Sequence, residues 1–155
     1  MSHASLARVD ALIVSVQNST ASTVMLDNKP PTATQFEALC KALAVNETVA
    51  TLSLVETNLS DAQLSALCSA LKTHKAPIGM LNLEYNDIGD VGALSLADAL
   101  MEHSKIKTVL LAGNHISDVG AEALVRAWNT NINIAKIDID MNDVSSKFVK
   151  QMAKR

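Results

Sequence analysis

Apolar and polar positions recur along this chain with a long, fixed period. Leu81-Asn-Leu-Glu-Tyr-Asn86, Val109-Leu-Leu-Ala-Gly-Asn114 and Ile137-Asp-Ile-Asp-Met-Asn142 share the order apolar, any, apolar, any, any, Asn, at 28-residue intervals. Leu52-Ser-Leu-Val-Glu-Thr57 starts 29 residues before Leu81, and Val24-Met-Leu-Asp-Asn-Lys29 starts 28 before Leu52. Alternation over so few residues predicts short strands with one buried face. After each strand the apolar residues change period to i, i+3, i+4 and i+7. They are Phe36, Leu39, Cys40 and Leu43 in the first unit, and Leu64, Leu67, Cys68 and Leu71 in the second. Ala93, Leu96, Ala97 and Leu100 follow, then Ala121, Leu124, Val125 and Trp128. That spacing predicts one helix of about three turns per unit, with one inward stripe.

The helix starts are marked as well. Thr32, Ser60, Gly89, Ser117 and Ser145 share one column, and each residue type there is an accepted N-cap. Gln35 and Gln63 stand at capping-box spacing from Thr32 and Ser60. In the next column, Ala33, Asp61, Asp90, Asp118 and Ser146, the acids suit the positive end of a helix. Five units are therefore expected, starting near residues 24, 52, 81, 109 and 137, in a single domain over 1–155. Leu6, Val9, Leu12, Ile13 and Val16 form a helical stripe upstream, read as a capping helix over residues 5–17 within a cap region of 5–22. The one extra residue falls in the loop at Lys75–Pro77, where insertion is tolerated. Lys29 and Thr57 replace Asn in the first two units, and Pro30-Pro31 interrupts the first. A degenerate first unit fits a capping end. The last helix has no member in the Leu43/Trp128 column, so a short C-terminal cap or a longer natural protein is expected.

This pattern resembles the leucine-rich repeat. The 28-residue unit, with Ile88-Gly-Asp-Val-Gly-Ala93 beside Ile116-Ser-Asp-Val-Gly-Ala121, is similar to the ribonuclease-inhibitor-like subclass in particular. That subclass takes in ribonuclease inhibitor, the GTPase activator of Ran, sensor domains of innate-immune receptors and the C-terminal domain of tropomodulin. The resemblance covers about residues 24 to 155. It implies a right-handed α/β solenoid with five parallel strands on the concave side, helices on the convex side and an N-terminal capping helix. In that family the Asn side chain bonds backbone groups inside its turn. Asn86, Asn114 and Asn142 match this role, Thr57 matches it partly, and Lys29 departs from it.

Composition narrows the function. Apolar residues make up 48% of the 155 but aromatics only 3%, so the core is built from aliphatic layers. Lys and Arg total 13 against 16 Asp and Glu, a net charge of −3, which argues against nucleic acid as a partner. The longest strictly apolar run near the N-terminus, Ala11 to Val14, is too short for a signal peptide or a membrane span. The expected setting is a reducing cytoplasm, with Cys40 and Cys68 as buried apolar residues rather than a disulfide. The histidines show no metal-ligand spacing, and Asp138 with Asp140 reads as one exposed strand face rather than an acid–base pair. No catalytic set, cofactor or metal is expected.

The outward strand positions form ladders across the units. Met25, Ser53, Asn82, Leu110 and Asp138 make one, and Asp27, Val55, Glu84, Ala112 and Asp140 a second. Thr23, Thr51, Met80, Thr108 and Lys136 precede the strand core, while Asn28, Glu56, Tyr85, Gly113 and Met141 follow it. The expected binding surface comprises Met80, Asn82, Glu84, Tyr85, Leu110, Asp138, Asp140, Met141, Val55 and Glu56. Leu94 and Met101, off the inward stripe, offer a convex alternative. The leading reading is a non-enzymatic protein–protein interaction module or scaffold for a protein partner of unknown identity. It is monomeric, or weakly self-associating through its open ends. Resemblance supplies two alternatives: a small-GTPase regulator acting through the loops at Asn86-Asp87 and Asn114-His115, and a tropomodulin-like cytoskeletal capping or assembly factor.

Overall fold

A computed structural model describes residues 3–73, 77–102 and 105–152. Helix α1 (His3–Gln17) leads into five strand–helix units: β1 (Thr23–Met25) and α2 (Ala33–Val45), β2 (Thr51–Ser53) and α3 (Asp61–Thr73), β3 (Met80–Asn82) and α4 (Asp90–Glu102), β4 (Thr108–Leu110) and α5 (Asp118–Thr130), and β5 (Lys136–Asp138) and α6 (Ser146–Met152). The strands form one parallel sheet in chain order. Thr23, Thr51, Met80, Thr108 and Lys136 pair in register, as do Met25, Ser53, Asn82, Leu110 and Asp138. Both are ladders that the repeat predicted. The architecture is the expected α/β repeat solenoid with an open sheet.

Each unit buries the same slots. Leu52 and Leu54, Leu81 and Leu83, Val109 and Leu111, and Ile137 and Ile139 point from the strand segments into the core. The helix stripes meet them there, including Trp128, whose indole N–H donates to the Ile134 carbonyl at 2.9 Å. Cys40 and Cys68 are buried free thiols. Burial pushes their pKa values up to about 11 and about 12, so neither is a ready nucleophile. Strands pair ~4.8 Å apart while packed helices need ~8–10 Å, so stacking one of each per unit curves the array with the sheet inside.

The N-terminal cap is helical from His3, two residues before the expected start, and stops at Gln17, the expected end of the helix within the 5–22 cap region. Ser19 turns left-handed there, with φ 52°, and the Thr20 and Ala21 amides fold back on the Ser15 carbonyl. The cap is nonetheless seated as its stripe required, with Val9, Ile13 and Val16 buried. Gln35 donates to the Leu6 carbonyl and to Asp10, and the buried Asn46 donates to the Val16 carbonyl at 2.8 Å. At the other end α6 has 7 described residues, against 13 in each of α2 to α5. The loop insertion at Lys75, and His74, His103, Lys154 and Arg155, lie outside the described residues.

Two side-chain columns bind one unit to the next. Asn86 is buried and its amide N–H groups donate to the carbonyls of Leu54, Leu83 and Glu84 at 2.7, 3.1 and 3.2 Å. Its oxygen accepts from the amides of Thr57 and Leu59. Asn114 and Asn142 repeat this, each tying its own turn to the unit before it. Thr57 makes only a partial substitute, its hydroxyl donating to Leu54.

The acidic column does more than complement helix dipoles. Asp61 accepts the Gly89 amide at 2.7 Å, Asp90 the Ser117 amide at 2.8 Å, and Asp118 the Ser145 amide at 2.6 Å. Each acid thus caps the helix of the following unit. Asp90 also accepts the Gly120 amide and the Ser117 hydroxyl. Where Ala33 stands in this column, Ser60 instead bonds its own Gln63 in a capping box. Gly92 and Gly120 replace that Gln in the units clasped by Asp61 and Asp90, where a Cβ would meet the carboxylate; Phe148 holds the position in the unit clasped by Asp118.

Partial burial opposes ionisation of Asp90, but the bonds from Ser117 and Gly120 outweigh it and hold the carboxyl below its usual range. Asp90 is therefore more acidic folded than unfolded. Its contribution is complete above the unfolded carboxylate pKa, about 3.9, and is lost as pH falls through the lower folded value. Urea titrations at stepped pH should show Asp90→Asn flattening the acid limb of the stability curve. An unchanged acid limb would remove Asp90 from the acid-sensitive set.

Candidate protein-binding face

The sheet face away from the helices carries the predicted site. Strand pairing continues past the three-residue strands, since the Tyr85 amide donates to the Ala112 carbonyl and the Gly113 amide to the Asp140 carbonyl. Met80, Tyr85 and Met141 are 40%, 46% and 71% exposed. Asp140 and Glu56 are also exposed, while Val55, Asn82, Glu84, Leu110 and Asp138 are half-buried. Register brings Met80, Asn82, Glu84, Tyr85, Leu110, Asp138, Asp140 and Met141 together over β3, β4 and β5. Val55 and Glu56 lie one unit away, behind Glu84 and Tyr85. Ser53 and Ala112, from the same ladders, are buried.

Much of the polarity on this face is internally engaged. Asp27 accepts from the Ser53 hydroxyl at 2.6 Å and the Val55 amide at 3.1 Å. Asn82 accepts the Glu84 amide and donates to its carboxylate. Asp138 accepts the Asp140 amide and pairs with Lys136 at 2.9 Å. Partial burial raises the Asp138 pKa less than Lys136 and the Asp140 amide lower it, so the carboxyl stays below its usual range. The hydrogen bond and charge of Asp138, helped by Glu84 and Asp140, raise the Lys136 pKa.

The ladder that follows the strands has a conformation the sequence reading missed. Asn28, Glu56, Tyr85, Gly113 and Met141 all have positive φ, between 52° and 71°. Only Gly113 adopts it freely, and non-glycine residues there cost on the order of 1 kcal/mol each. Gly113 has a second use: a Cβ at that position would come within 2.5 Å of the Tyr85 ring. Tyr85 can therefore lie across Gly113 and donate its hydroxyl to the Met141 sulfur at 3.7 Å. An aromatic and a thioether two units apart become one exposed apolar patch. The signal available in the sequence was the lone glycine in a column of larger residues.

The loop residues carried over for a GTPase regulator are otherwise employed. Asn86 and Asn114 are buried in the backbone bonds described above, leaving Asp87 and His115 exposed, 3.9 Å apart. Among the described residues, no group of three or more His, Cys, Asp or Glu side chains is placed to hold a metal ion. No described helix is long and apolar enough to cross a membrane. On the convex side Leu94 and Met101 are exposed, as expected.

The family described as Leucine Rich repeat matches residues 81–97 and 102–125, the stretches that carry β3, α4, β4 and α5. The two units that contain these stretches are similar to leucine-rich repeats. No curated protein matches the chain in sequence. Two solved structures share the fold of the leucine-rich repeat array. One, described as leiomodin-1 actin-binding site 2, superposes with a TM-score of 0.76 at 19% identity, covering 93% of this chain and 88% of that one. The other, the tropomodulin C-terminal domain from Caenorhabditis elegans, gives a TM-score of 0.80 at 16% identity, covering 94% and 89%. The likeness to the tropomodulin C-terminal domain read from the repeats therefore holds at the level of fold.

Proposed function

We propose that this chain is a non-enzymatic interaction module that holds a protein partner on its concave strand face. One observation carries this reading: Tyr85 and Met141, two units apart, meet across Gly113 as one exposed apolar patch, with Met80 exposed on the same strand face, which no described helix covers. Clustered apolar side chains with an aromatic mark binding patches, and methionine adapts to varied partners. The left-handed turns support it, since strained conformations of large residues concentrate at functional sites. Capture of binding proteins on immobilised chain tests the reading, with Tyr85→Ala and Leu110→Glu as variants. Both variants should release at least one protein that wild type and Leu94→Ala retain. Equal retention by all four chains would move the site elsewhere.

A cytoskeletal reading is favoured by a separate observation, the fold shared with a structure described as an actin-binding site of leiomodin-1. Actin is the partner it names. Co-sedimentation with actin filaments, and gel-shift with monomeric actin, decide it. Binding weakened by Tyr85→Ala would join the two readings; no binding to either form of actin would leave the module with another partner.

A further inference from the structure

We propose that the free edge of β5 takes up an extended segment of a partner protein as a sixth parallel strand, one with the order apolar, any, apolar, any, any, Asn. This site lies at the end of the array and goes beyond the concave-face reading. At the internal joints one column of amides always finds a carbonyl of the next unit. Leu26 donates to Ser53 at 3.0 Å, Leu54 to Asn82 at 2.9 Å, Leu83 to Leu110 at 2.8 Å and Leu111 to Asp138 at 2.8 Å. Ile139 is the next member of that column. It is buried, yet its amide has no acceptor among the described residues. The Leu59, Ile88 and Ile116 amides likewise donate to Asn86, Asn114 and Asn142 of the next unit, whereas the Val144 amide has no acceptor among the described residues. The Leu83 and Leu111 carbonyls each accept from two Asn side chains, one of their own turn and one of the next unit. The Ile139 carbonyl accepts from Asn142 of its own turn. Buried backbone groups are normally paired, so these open positions in one register mark half of a repeat joint.

The apolar half of the joint is there too. A cavity of about 210 Å³ opens between β5 and α6, lined by Ile137, Ile139, Val149 and Met152 among others. At an internal joint the buried strand pair of the following unit, such as Val109 and Leu111 beside Leu81 and Leu83, continues the core from that position. An incoming strand seats its two apolar residues against the cavity and offers a carbonyl to the Ile139 amide. Its Asn links the Val144 amide to the Ile139 carbonyl, as Asn142 links Ile116 to Leu111. A second copy does not supply this order. Its Asn86, Asn114 and Asn142 are engaged within its own array, and its other free edge, β1, has Lys29 at the Asn position, followed by Pro30-Pro31. The occupant is thus an extended segment of a different protein.

A blocked peptide with the sequence of residues 105–116 is the probe, because that stretch pairs with β3 in the same register inside the chain. Added to the full chain, it should shift the nitrogen-15 signals of Ile137, Ile139, Met141, Val144 and Val149. Hydrogen exchange of the Ile139 and Val144 amides should slow about tenfold or more in the complex, towards the rates of Leu111 and Ile116. An Asn114→Ala peptide should bind about tenfold more weakly, and a Val109→Ser/Leu111→Ser peptide should not bind. In the chain, Val149→Asp should abolish binding while Tyr85→Ala leaves it unchanged. Undiminished binding of the serine peptide, shifts that map to the concave face, or no binding of the parent peptide at millimolar concentration would overturn the proposal. A dimer in sedimentation whose formation protects the Ile139 amide would also overturn it, by assigning the edge to a second copy.

Discussion

Asn86→Ala is expected to lower the free energy of unfolding by about 3–5 kcal/mol, from removal of a buried group with several backbone partners. The substitution deletes an amide that accepts from the Thr57 and Leu59 amides and donates to the Leu54, Leu83 and Glu84 carbonyls. Those groups belong to two repeats and sit where water has little access, so their loss exposes orphaned donors rather than exchanging one partner for another. A domain stable by about 5–15 kcal/mol would lose a large fraction of its margin. Asn142→Ala makes the internal comparison. Its amide has equivalent partners, but Asn142 is half-buried and solvent can replace part of what is lost. Its cost should be about 1–2 kcal/mol. Urea unfolding of the three chains checks both; equal costs would contradict the assignment of the effect to burial.

Gly120→Ala should cost about 2–3 kcal/mol, although alanine is the better helix former. A Cβ at Gly120 would stand 2.7 Å from the Asp90 carboxylate, 2.8 Å from the Ala93 methyl and 2.8 Å from Ile116 Cγ2. Helices α4 and α5 pack most closely of the helix pairs, so relief by separation would disturb the tightest joint in the array. Moving Asp90 aside would also loosen its bonds to Ser117 and Gly120. Gly79→Ala meets nothing nearer than 4.0 Å and should change stability by no more than about 0.5 kcal/mol. Thermal melts of the pair should separate clearly. A stabilised Gly120→Ala chain would show that the Asp clasp has slack.

The repeat made the fold legible because its signals agree at every level. Strand alternation, helical stripe, N-cap and register returned together in successive units, and strand pairing followed the columns residue by residue. The links between repeats were legible only in part. The acids of the Asp61, Asp90 and Asp118 column were consistent with a dipole role, and nothing local to a helix shows that their bonds run to the next one. Only spatial stacking puts Asp90 beside Ser117. The outward ladders lie on the strand face, with Ser53 and Ala112 buried among them, but alternation alone says nothing of a left-handed turn. It therefore missed that Tyr85 bends over Gly113 to reach Met141. The cap was placed from its stripe, with its end at Gln17, and the left-handed Ser19 turn follows it without a glycine to announce it.

The concave-face reading is tested most directly by amide hydrogen exchange of the chain with and without a captured partner. Protection should rise over residues 80–85, 108–113 and 136–141, while the outer faces of α3, α4 and α5 exchange as in the free chain. Protection confined to those helices, around Leu94 and Met101, would contradict the reading and place the partner on the convex side.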